Sequence, residues 1–205
     1  MGKSTAAAML ETLNVPVHDS DVEVHRLLDS DEQARVALAA QFPFFRYFYI
    51  YGKKDSRGVR GFNRKRLGKL VFENDSEREK LEKVLHPLVR KAQDEFIRVQ
   101  RNMGADIVAL DIPLLFETDG EQRVDHTIVI SAPAFVQRDR VLSRPNMTEK
   151  KFEAILKRQM SDAEKCARAD FVVPSGLGKA ETMKALKKII HDLRHKAEEE
   201  ESQKA

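Results

Sequence analysis

The chain has 205 residues, and 41% of them are hydrophobic, which is enough for one compact unit or for a core with inserted lobes. Its 36 basic and 33 acidic residues leave a net charge of +3, which excludes a uniformly basic nucleic-acid binder. A single cysteine, Cys166, excludes a disulfide framework and a cysteine-based zinc site. No apolar run approaches the ~18 residues of a membrane span, so we expect a reducing, cytoplasmic location and no membrane partner.

The first residues, Met1-Gly2-Lys3-Ser4-Thr5, lead into an alanine-rich run that predicts a helix. Gly-Lys-Ser is the closing half of the phosphate-loop motif G-x-x-x-x-G-K-[S/T]. In that motif backbone N–H groups surround phosphates, the lysine reaches the β- and γ-phosphates, and the hydroxyl binds Mg²⁺. A strand and the first four loop positions normally precede this tripeptide, and here they would lie before Met1.

A short apolar run over residues 15–18 follows that helix and ends in Asp19-Ser20-Asp21. The pattern predicts a short strand with an acidic end, as in a nucleotide-binding α/β unit. A carboxylate at this position can accept a proton from a hydroxyl or hold Mg²⁺ through water. Asp21 is also suited to cap a helix N-terminus, and the two roles are compatible.

Residues 31–104 predict helices without alternating strands. A long amphipathic helix is expected over residues 77–101, with a kink or restart at Pro87. Seven aromatic residues occur in residues 42–51, and residues 53–69 are basic and rich in glycine. We expect the aromatic residues to form a buried patch, whereas stacking on RNA bases or binding a protein partner is the alternative. His86 lacks metal-ligand spacing and is expected to line a pocket.

Three further apolar segments predict buried parallel strands, at residues 107–112, 127–130 and 171–173. Helices are predicted between and after them, from Pro133, over residues 148–167 and over residues 178–200, and the charge run at 198–205 predicts a disordered tail. Strands that alternate with helices in this order indicate a parallel, doubly wound α/β fold.

Charged residues follow two of these strands. Asp111 ends its strand where phosphate-loop enzymes place an acid that supports Mg²⁺, although it can also cap a turn. On the next predicted helix, Arg140 and Arg144 are expected to share one face while Arg138 points away. Arginines near a phosphate site neutralise charge that develops during transfer, and solvated surface arginines are the alternative.

The order and spacing of these segments resemble the bacterial dephospho-CoA kinase family over nearly the whole chain, to about Leu193. The resemblance rests on a set of short motifs: Gly2-Lys3-Ser4-Thr5, Asp19-Ser20-Asp21, Asn63-Arg64 with Leu67 and Val71-Phe72, Leu85-His86-Pro87-Leu88-Val89, Asp111-Ile112-Pro113-Leu114-Leu115-Phe116-Glu117, Gln137 to Arg144, Gln159, Ala169-Asp170-Phe171-Val172-Val173 and Gly176. The segments at Leu85 and at Asp111 are the specific ones.

This resemblance implies a phosphate-loop fold similar to nucleoside monophosphate kinases, with a five-stranded parallel sheet and helices on both faces. Its core would comprise residues 1–30, 104–136 and 169–197. Residues 31–103 would form a helical domain that binds dephospho-CoA, and residues 137–168 a small lid. The family's first strand and the opening of its phosphate loop would precede Met1, and residues 42–60 differ from the usual connection.

The resemblance also implies an activity, the transfer of the ATP γ-phosphoryl group to the ribose 3′-hydroxyl of dephospho-CoA, with Mg²⁺, as the last step of CoA biosynthesis. The residues fall into four groups: Asp21, Lys3 and Arg140 for catalysis; Gly2, Lys3, Ser4, Thr5, Arg144 and Gly176 for ATP; Asp19, His86, Asp111 and Leu114 for the acceptor; Ser4 and Asp19 for Mg²⁺. No nucleic-acid partner is expected. The alternatives are another small-molecule phosphate-loop kinase, or an inactive remnant with a binding role.

Overall fold

The structure is a computed structural model that describes residues 2–54, 58–145 and 147–204. It divides into two compact units, residues 1–17 with 104–205 and residues 18–103. The first unit combines helices with short parallel strands, which confirms the predicted α/β class. None of the helices within these ranges is long and apolar enough to cross a membrane.

The first unit contains helices and strands that alternate along the chain. In chain order they are α1 (Lys3–Thr12), β1 (Val17–Asp19), β4 (Ala109–Asp111), β5 (Ile128–Ser131), α7 (Ala134–Leu142), α8 (Glu149–Leu156), α9 (Asp162–Arg168), β6 (Phe171–Pro174) and α10 (Lys179–Lys204). The boundary between the two units falls within β1. Two short 3-10 helices, Phe116–Thr118 and Gly120–Arg123, follow β4.

The core of this unit lies where α1 and α10 pack against the strands. α1 buries Ala6, Met9 and Leu10, whose spacing of three and four residues places them on one face of the helix. Leu186 of α10 and Val173 of β6 are fully buried in the same cluster. Each large apolar side chain buried in this way contributes about 1.5–3 kcal/mol, so the cluster fixes the N-terminus of α1 relative to β6.

The β5–β6 ladder is parallel, with Ile128 opposite Phe171 and Ser131 opposite Pro174. At its start the Asp170 carboxylate accepts hydrogen bonds from the N–H and the hydroxyl of Thr127, both at 2.7 Å. The parallel pairing is as predicted. In the described residues, however, the ladders join strands two by two, and the five-stranded sheet implied by the resemblance is not formed.

Two helical predictions in this unit need correction. The helix predicted over residues 148–167 is divided into α8 and α9, because Ser161 and Glu164 form a capping box that starts a new helix. α10 continues to Lys204, so residues 198–204 have helical backbone rather than forming a disordered tail. The run of glutamates there is compatible with helix, since glutamate is a good helix former.

The second unit is mainly helical. Its elements are α2 (Ser20–Ser30), α3 (Glu32–Gln41), α4 (Phe44–Tyr47), a 3-10 helix (Phe48–Ile50), β2 (Tyr51–Lys54), β3 (Arg60–Phe62), α5 (Arg64–Glu73) and α6 (Asp75–Asn102). β2 and β3 form an antiparallel hairpin that periodicity did not predict, since its strands are short and strongly charged.

A single apolar cluster joins α2, α3, α5 and α6 to the aromatic segment. Phe42, Tyr47 and Tyr51 are buried in it, and the Tyr47 hydroxyl lies 3.0 Å from both carboxylate oxygens of buried Glu77. Lys80 donates to the same carboxylate at 3.0 Å, so the buried charge is paired. The predicted burial therefore holds for these three of the seven aromatic residues.

α6 runs through Pro87 without a break, contrary to the predicted interruption. Proline removes one intrahelical hydrogen bond, which costs a free helix about 3 kcal/mol. Leu85 and Val89 on either side of it are buried in the apolar cluster. Tertiary packing of these neighbours offsets the local cost, and the helix continues to Asn102.

Candidate functional site

An ion pair lies at the carboxyl end of β4. Asp111 is the last residue of that strand, and its side chain is only 6% exposed. Lys3, the first residue of α1, donates from Nζ to this carboxylate, while 41% of its own side chain remains exposed. A buried carboxylate requires such a partner. The structure therefore brings together the predicted lysine and the predicted acid at the sheet edge where α/β proteins bind ligands.

Gly2 shapes the entry to α1. Its φ of 103° lies in the left-handed region, which favours glycine. A Cβ at this position would lie 3.2 Å from Cβ and Oγ of Ser175, closer than ordinary packing allows. Gly2 provides no side-chain cap, so the first-turn N–H groups of Lys3, Ser4 and Thr5 have no cap from it. The exposed side chains of Ser4 and Thr5 adjoin these donors.

Arg140 of α7 is fixed at the ends of β5 and β6. Its guanidinium donates to the Ser175 carbonyl oxygen at 2.8 Å and to Ser175 Oγ at 3.3 Å. The Ser175 N–H donates to the Ser131 carbonyl at 2.7 Å, and the Ser175 hydroxyl donates to the same oxygen at 3.0 Å. Ser175 therefore links the arginine to the ends of both strands, and its side chain lies close to Gly2. Sequence reasoning missed it, although its place directly after a parallel strand indicated it.

The other two arginines do not join Arg140. Arg138 donates to Glu149 of α8 at 2.5 Å, as expected of a residue that points away. α7 ends at Leu142, so Arg144 lies in the following turn and not on a continued helical face. The prediction that Arg140 and Arg144 share one helical face is therefore wrong. The Arg144 side chain is exposed.

Gly176 follows Ser175 and approaches the start of α7 closely. A Cβ at Gly176 would lie 2.8 Å from Cδ of Pro133, a contact that the rigid proline ring cannot relieve. The close approach explains why glycine occupies this position.

Glu117, which follows β4 by six residues, holds the segment between α8 and α9. Its carboxylate accepts from Lys165 Nζ at 2.8 Å and from the Met160 N–H at 2.9 Å. Burial by itself raises the pKa of Glu117, but the hydrogen bonds from Lys165 and the backbone outweigh it, so the pKa lies below its usual value. Sequence reasoning assigned Glu117 no role, because its partners lie more than 40 residues away.

Glu117→Gln is expected to lower the stability of the protein by about 1–3 kcal/mol at neutral pH, because it removes a charged acceptor from two donors. The folded pKa of Glu117 is depressed, so its contribution is present above the unfolded pKa and is lost as pH falls through the folded pKa. Thermal unfolding at neutral and acidic pH should therefore show the variant and the wild type converging in acid.

The matched control for this prediction is Asp192→Asn, which removes an exposed ion pair with Lys188 on α10. Exposed pairs contribute little, so this variant should melt like the wild type at every pH. A Glu117→Gln protein that also melts like the wild type at neutral pH would contradict a stabilising role for the Glu117 carboxylate.

The second unit supplies the acidic residues at the start of α2. Asp19 is the N-cap, and its Oδ1 accepts from the Asp21 N–H at 2.8 Å and the Val22 N–H at 3.0 Å. The cap is therefore Asp19 rather than Asp21. Asp21 lies in the first turn with an exposed side chain, where the helix dipole favours its negative charge.

A groove of about 510 Å³ lies in the second unit, and its lining includes His18, Arg26, Leu88, Lys91 and Phe96. The His18 and Phe96 rings meet edge to face at 5.3 Å. His86 lies half-buried in the middle of α6 and is not part of this lining. Nor do residues 2–54, 58–145 and 147–204 hold a group of three or more His, Cys, Asp or Glu side chains able to bind a metal.

Lys3 of α1 contacts Asp111 at the end of β4, and Arg140 of α7 contacts Ser175 directly after β6. Phosphorylated ligands bind at such strand ends in α/β proteins. This combination of fold and side chains defines a phosphate-loop kinase. A family model described as Dephospho-CoA kinase matches residues 1–181. The chain belongs to the dephospho-CoA kinase family, which confirms the family predicted from the sequence.

Individual relatives agree with that assignment. The chain is 43% identical over 194 residues to a dephospho-CoA kinase from Mesorhizobium japonicum, covering 95% of this chain and 92% of the relative. It is 47% identical over 173 residues to one from Brucella melitensis, covering 84% of this chain and 80% of the relative. The crystal structure of TT1252 from Thermus thermophilus is 30% identical with a TM-score of 0.72, covering 94% of this chain and 92% of that chain.

A dephospho-CoA kinase structure from Campylobacter jejuni has a TM-score of 0.60 and covers 94% of this chain and 91% of that chain. At 23% identity it supports the fold alone. Together the relatives favour a dephospho-CoA kinase over the alternatives of another small-molecule kinase or an inactive remnant.

Proposed function

We propose that this protein transfers the γ-phosphoryl group of ATP to the ribose 3′-hydroxyl of dephospho-CoA. The bond from the γ-phosphorus to the ADP oxygen breaks, a bond to the 3′-oxygen forms, and the hydroxyl proton passes to a carboxylate. The observation that carries the proposal is the pairing of Lys3 with buried Asp111 at the N-terminus of α1, in a chain of the dephospho-CoA kinase family. Its cytoplasmic location remains a prediction.

The first unit would bind ATP. The N–H groups at the start of α1, from Lys3 to Thr5, would donate to phosphate oxygens, favoured by the helix dipole. Lys3 would then share its charge between the phosphates and Asp111. Arg140, held in place by Ser175, would stabilise the negative charge of the transferring group. Gly2 and Gly176 allow close approach of the backbone.

The second unit would supply the base. Asp21 would accept the proton of the 3′-hydroxyl, and Asp19, which caps the same helix, would fix the position of that first turn. Within the first unit, Leu114 would contact the acceptor after β4. His86, which is half-buried on α6, would also contact the acceptor, and it lies in residues 31–103, the proposed dephospho-CoA domain.

Residues 137–168 would act as the lid, with Arg144 contributing from the turn after α7. Residues 1–30, 104–136 and 169–197 would form the core that holds the nucleotide. The anchoring of Met160 and Lys165 by Glu117 fixes one end of the proposed lid to the segment after β4.

Magnesium fits the donors present. Mg²⁺ retains several waters and takes one or two protein oxygens together with substrate phosphates, so it needs no dedicated carboxylate cluster. The exposed hydroxyl of Ser4 at the start of α1 is a suitable oxygen, and Asp19 is a second candidate through water. When bound, the ion would neutralise charge on the β- and γ-phosphates.

An acceptor panel tests the proposed function. The protein is incubated with Mg-ATP and, separately, with dephospho-CoA, 3′-deoxy-dephospho-CoA, adenosine and AMP, and ADP release is followed. We expect turnover with dephospho-CoA and none with the 3′-deoxy analogue, because the attacking oxygen is then missing. Equal turnover with adenosine or AMP would contradict the proposed acceptor.

A further inference from the structure

Four aromatic side chains on the second unit are exposed, and none of them is among the residues assigned a role in the proposed kinase reaction, although they lie within residues 31–103. Phe45 is 84% exposed, Phe48 64%, Phe44 48% and Tyr49 43%. We call these four residues the aromatic surface. They occupy α4 and the 3-10 helix directly after it, and the Phe48 and Tyr49 rings meet edge to face with their centres 5.9 Å apart. Single exposed apolar residues are ordinary, whereas a contiguous group indicates a binding surface.

Buried neighbours in the chain fix the backbone that carries the aromatic surface. Tyr47 and Ile50, which alternate with its members along the chain, are buried in the apolar cluster. Tyr47 is further fixed by its hydrogen bonds to Glu77. The rings are therefore presented by a packed segment, and little conformational entropy is lost when a ligand orders them.

The charge around the aromatic surface is mainly positive. Residues 42–72 contain nine lysines and arginines and one acidic residue, Asp55, although the whole chain carries only +3. Eight of the nine basic residues lie in the part of the chain that the structure describes, and all eight are exposed, namely Arg46, Lys53, Lys54, Arg60, Arg64, Lys65, Arg66 and Lys69. Arg64 lies 3.3 Å from Asp29, and Lys69 lies 3.9 Å from Glu73, so acidic partners adjoin at least two of the eight. A surface of this kind attracts a polyanion.

Cations and rings are interleaved at close range. The Arg60 guanidinium lies 5.4 Å from the centre of the Phe44 ring, and Arg46 lies 5.5 Å from that of Tyr47. Arg66 donates to the Tyr49 carbonyl oxygen at 3.1 Å. Exposed rings and positive charges therefore lie side by side on this segment, and both are groups that an unpaired nucleic-acid strand contacts through its bases and phosphates.

Contrary to the expectation from the sequence that nucleic acid is not a partner, we propose that the aromatic surface binds single-stranded nucleic acid, with bases stacked on the exposed rings and phosphates paired with the surrounding lysines and arginines. A second copy of this chain fits less well, because it would bring two sets of eight positive charges together. An anionic lipid bilayer would also attract these cations, so vesicles of anionic lipid are one arm of the test below.

Fluorescence anisotropy tests the proposal with labelled oligo(U), oligo(dT) and a duplex of the same length, all with the full chain. We expect both single strands to bind with a Kd of roughly 1–100 μM near physiological salt, more tightly than the duplex, and with a slope of log K against log salt of about −0.7 per phosphate paired. The comparison of oligo(U) with oligo(dT) shows whether the ribose hydroxyl contributes.

Two double variants separate stacking from charge. Phe45→Ser with Phe48→Ser should weaken binding at least about fivefold at constant salt slope, because stacking contributes on each ring. Lys53→Ala with Lys54→Ala should weaken binding and reduce the salt slope by roughly 1.4, the value for two phosphates. Phe135→Ser, which alters a phenylalanine of the first unit that is 69% exposed, is the matched control and should bind like the wild type.

Three results would overturn the proposal. One is unchanged binding by the two-ring variant, since attraction to charge alone would then explain the affinity. Another is binding to vesicles of phosphatidylglycerol and phosphatidylcholine without binding to oligo(U) or oligo(dT). The third is displacement of the oligonucleotide by saturating dephospho-CoA, together with an equal loss of affinity for dephospho-CoA and for the oligonucleotide in the Phe45→Ser, Phe48→Ser variant. The aromatic surface would then belong to the acceptor site.

Discussion

Asp21→Asn is expected to lower kcat by about 10²–10⁴-fold and to leave ATP binding nearly unchanged. Asparagine has the size of aspartate but cannot accept the proton of the attacking hydroxyl, and the loss of a positioned base has an effect of this order. The structure separates this chemical effect from a structural one, because Asp19 and not Asp21 caps α2. The melting temperature should therefore stay close to that of the wild type.

The measurement is steady-state turnover with dephospho-CoA and Mg-ATP, together with an ATP titration and a thermal melt. Asp29→Asn is the matched control, since it neutralises an exposed carboxylate on the last turn of the same helix, 3.3 Å from Arg64. It should retain wild-type turnover. An Asp21→Asn enzyme with more than about a third of the wild-type kcat would exclude Asp21 as the base.

Arg140→Ala is expected to lower kcat by about 10²–10³-fold with a smaller change in the KM for ATP. The guanidinium is positioned by the Ser175 carbonyl and hydroxyl, and a fixed charge of this kind acts mainly on the negative charge that develops in the transition state. Arg140→Lys should recover part of the rate, because lysine restores the charge but not the forked geometry.

The same helix provides the control. Arg138→Ala removes an exposed arginine, two residues away, whose partner is Glu149 of α8, and it should leave kcat unchanged. Arg144→Ala should slow transfer less than Arg140→Ala, because Arg144 would act through closure of the lid. If Arg140→Ala, like Arg138→Ala, kept the wild-type kcat, Arg140 would be a surface charge without a role in transfer.

Much of the first unit followed from the sequence alone. β-branched, apolar runs predicted β4, β5 and β6 within a few residues, because a strand covered on both faces needs such side chains. Gly2-Lys3-Ser4 predicted the start of α1, since the phosphate-loop motif ends in a helix. The acids and arginines near strand ends were identified because parallel strands place their carboxyl ends at one edge.

Contacts between distant segments could not be predicted. Ser175 and Glu117 gain their roles from partners 35 and 43 residues away, and no local pattern encodes such a distance. α6 continues through Pro87 because buried neighbours offset a cost that propensity alone would have imposed. Arg144 left the expected face because α7 ends two residues earlier.

The aromatic segment shows most clearly the difference between what the sequence predicts and what the tertiary structure decides. Composition determined that seven rings and many cations would occur together, and it predicted a buried patch, but it could not determine which of the seven rings would be buried. Packing against α6 buried Phe42, Tyr47 and Tyr51 and left the aromatic surface in solvent. The sequence by itself determined local structure and the chemistry available at each position. Only the tertiary structure decided which side chains meet and which face water, because those outcomes depend on which distant segments exclude solvent together.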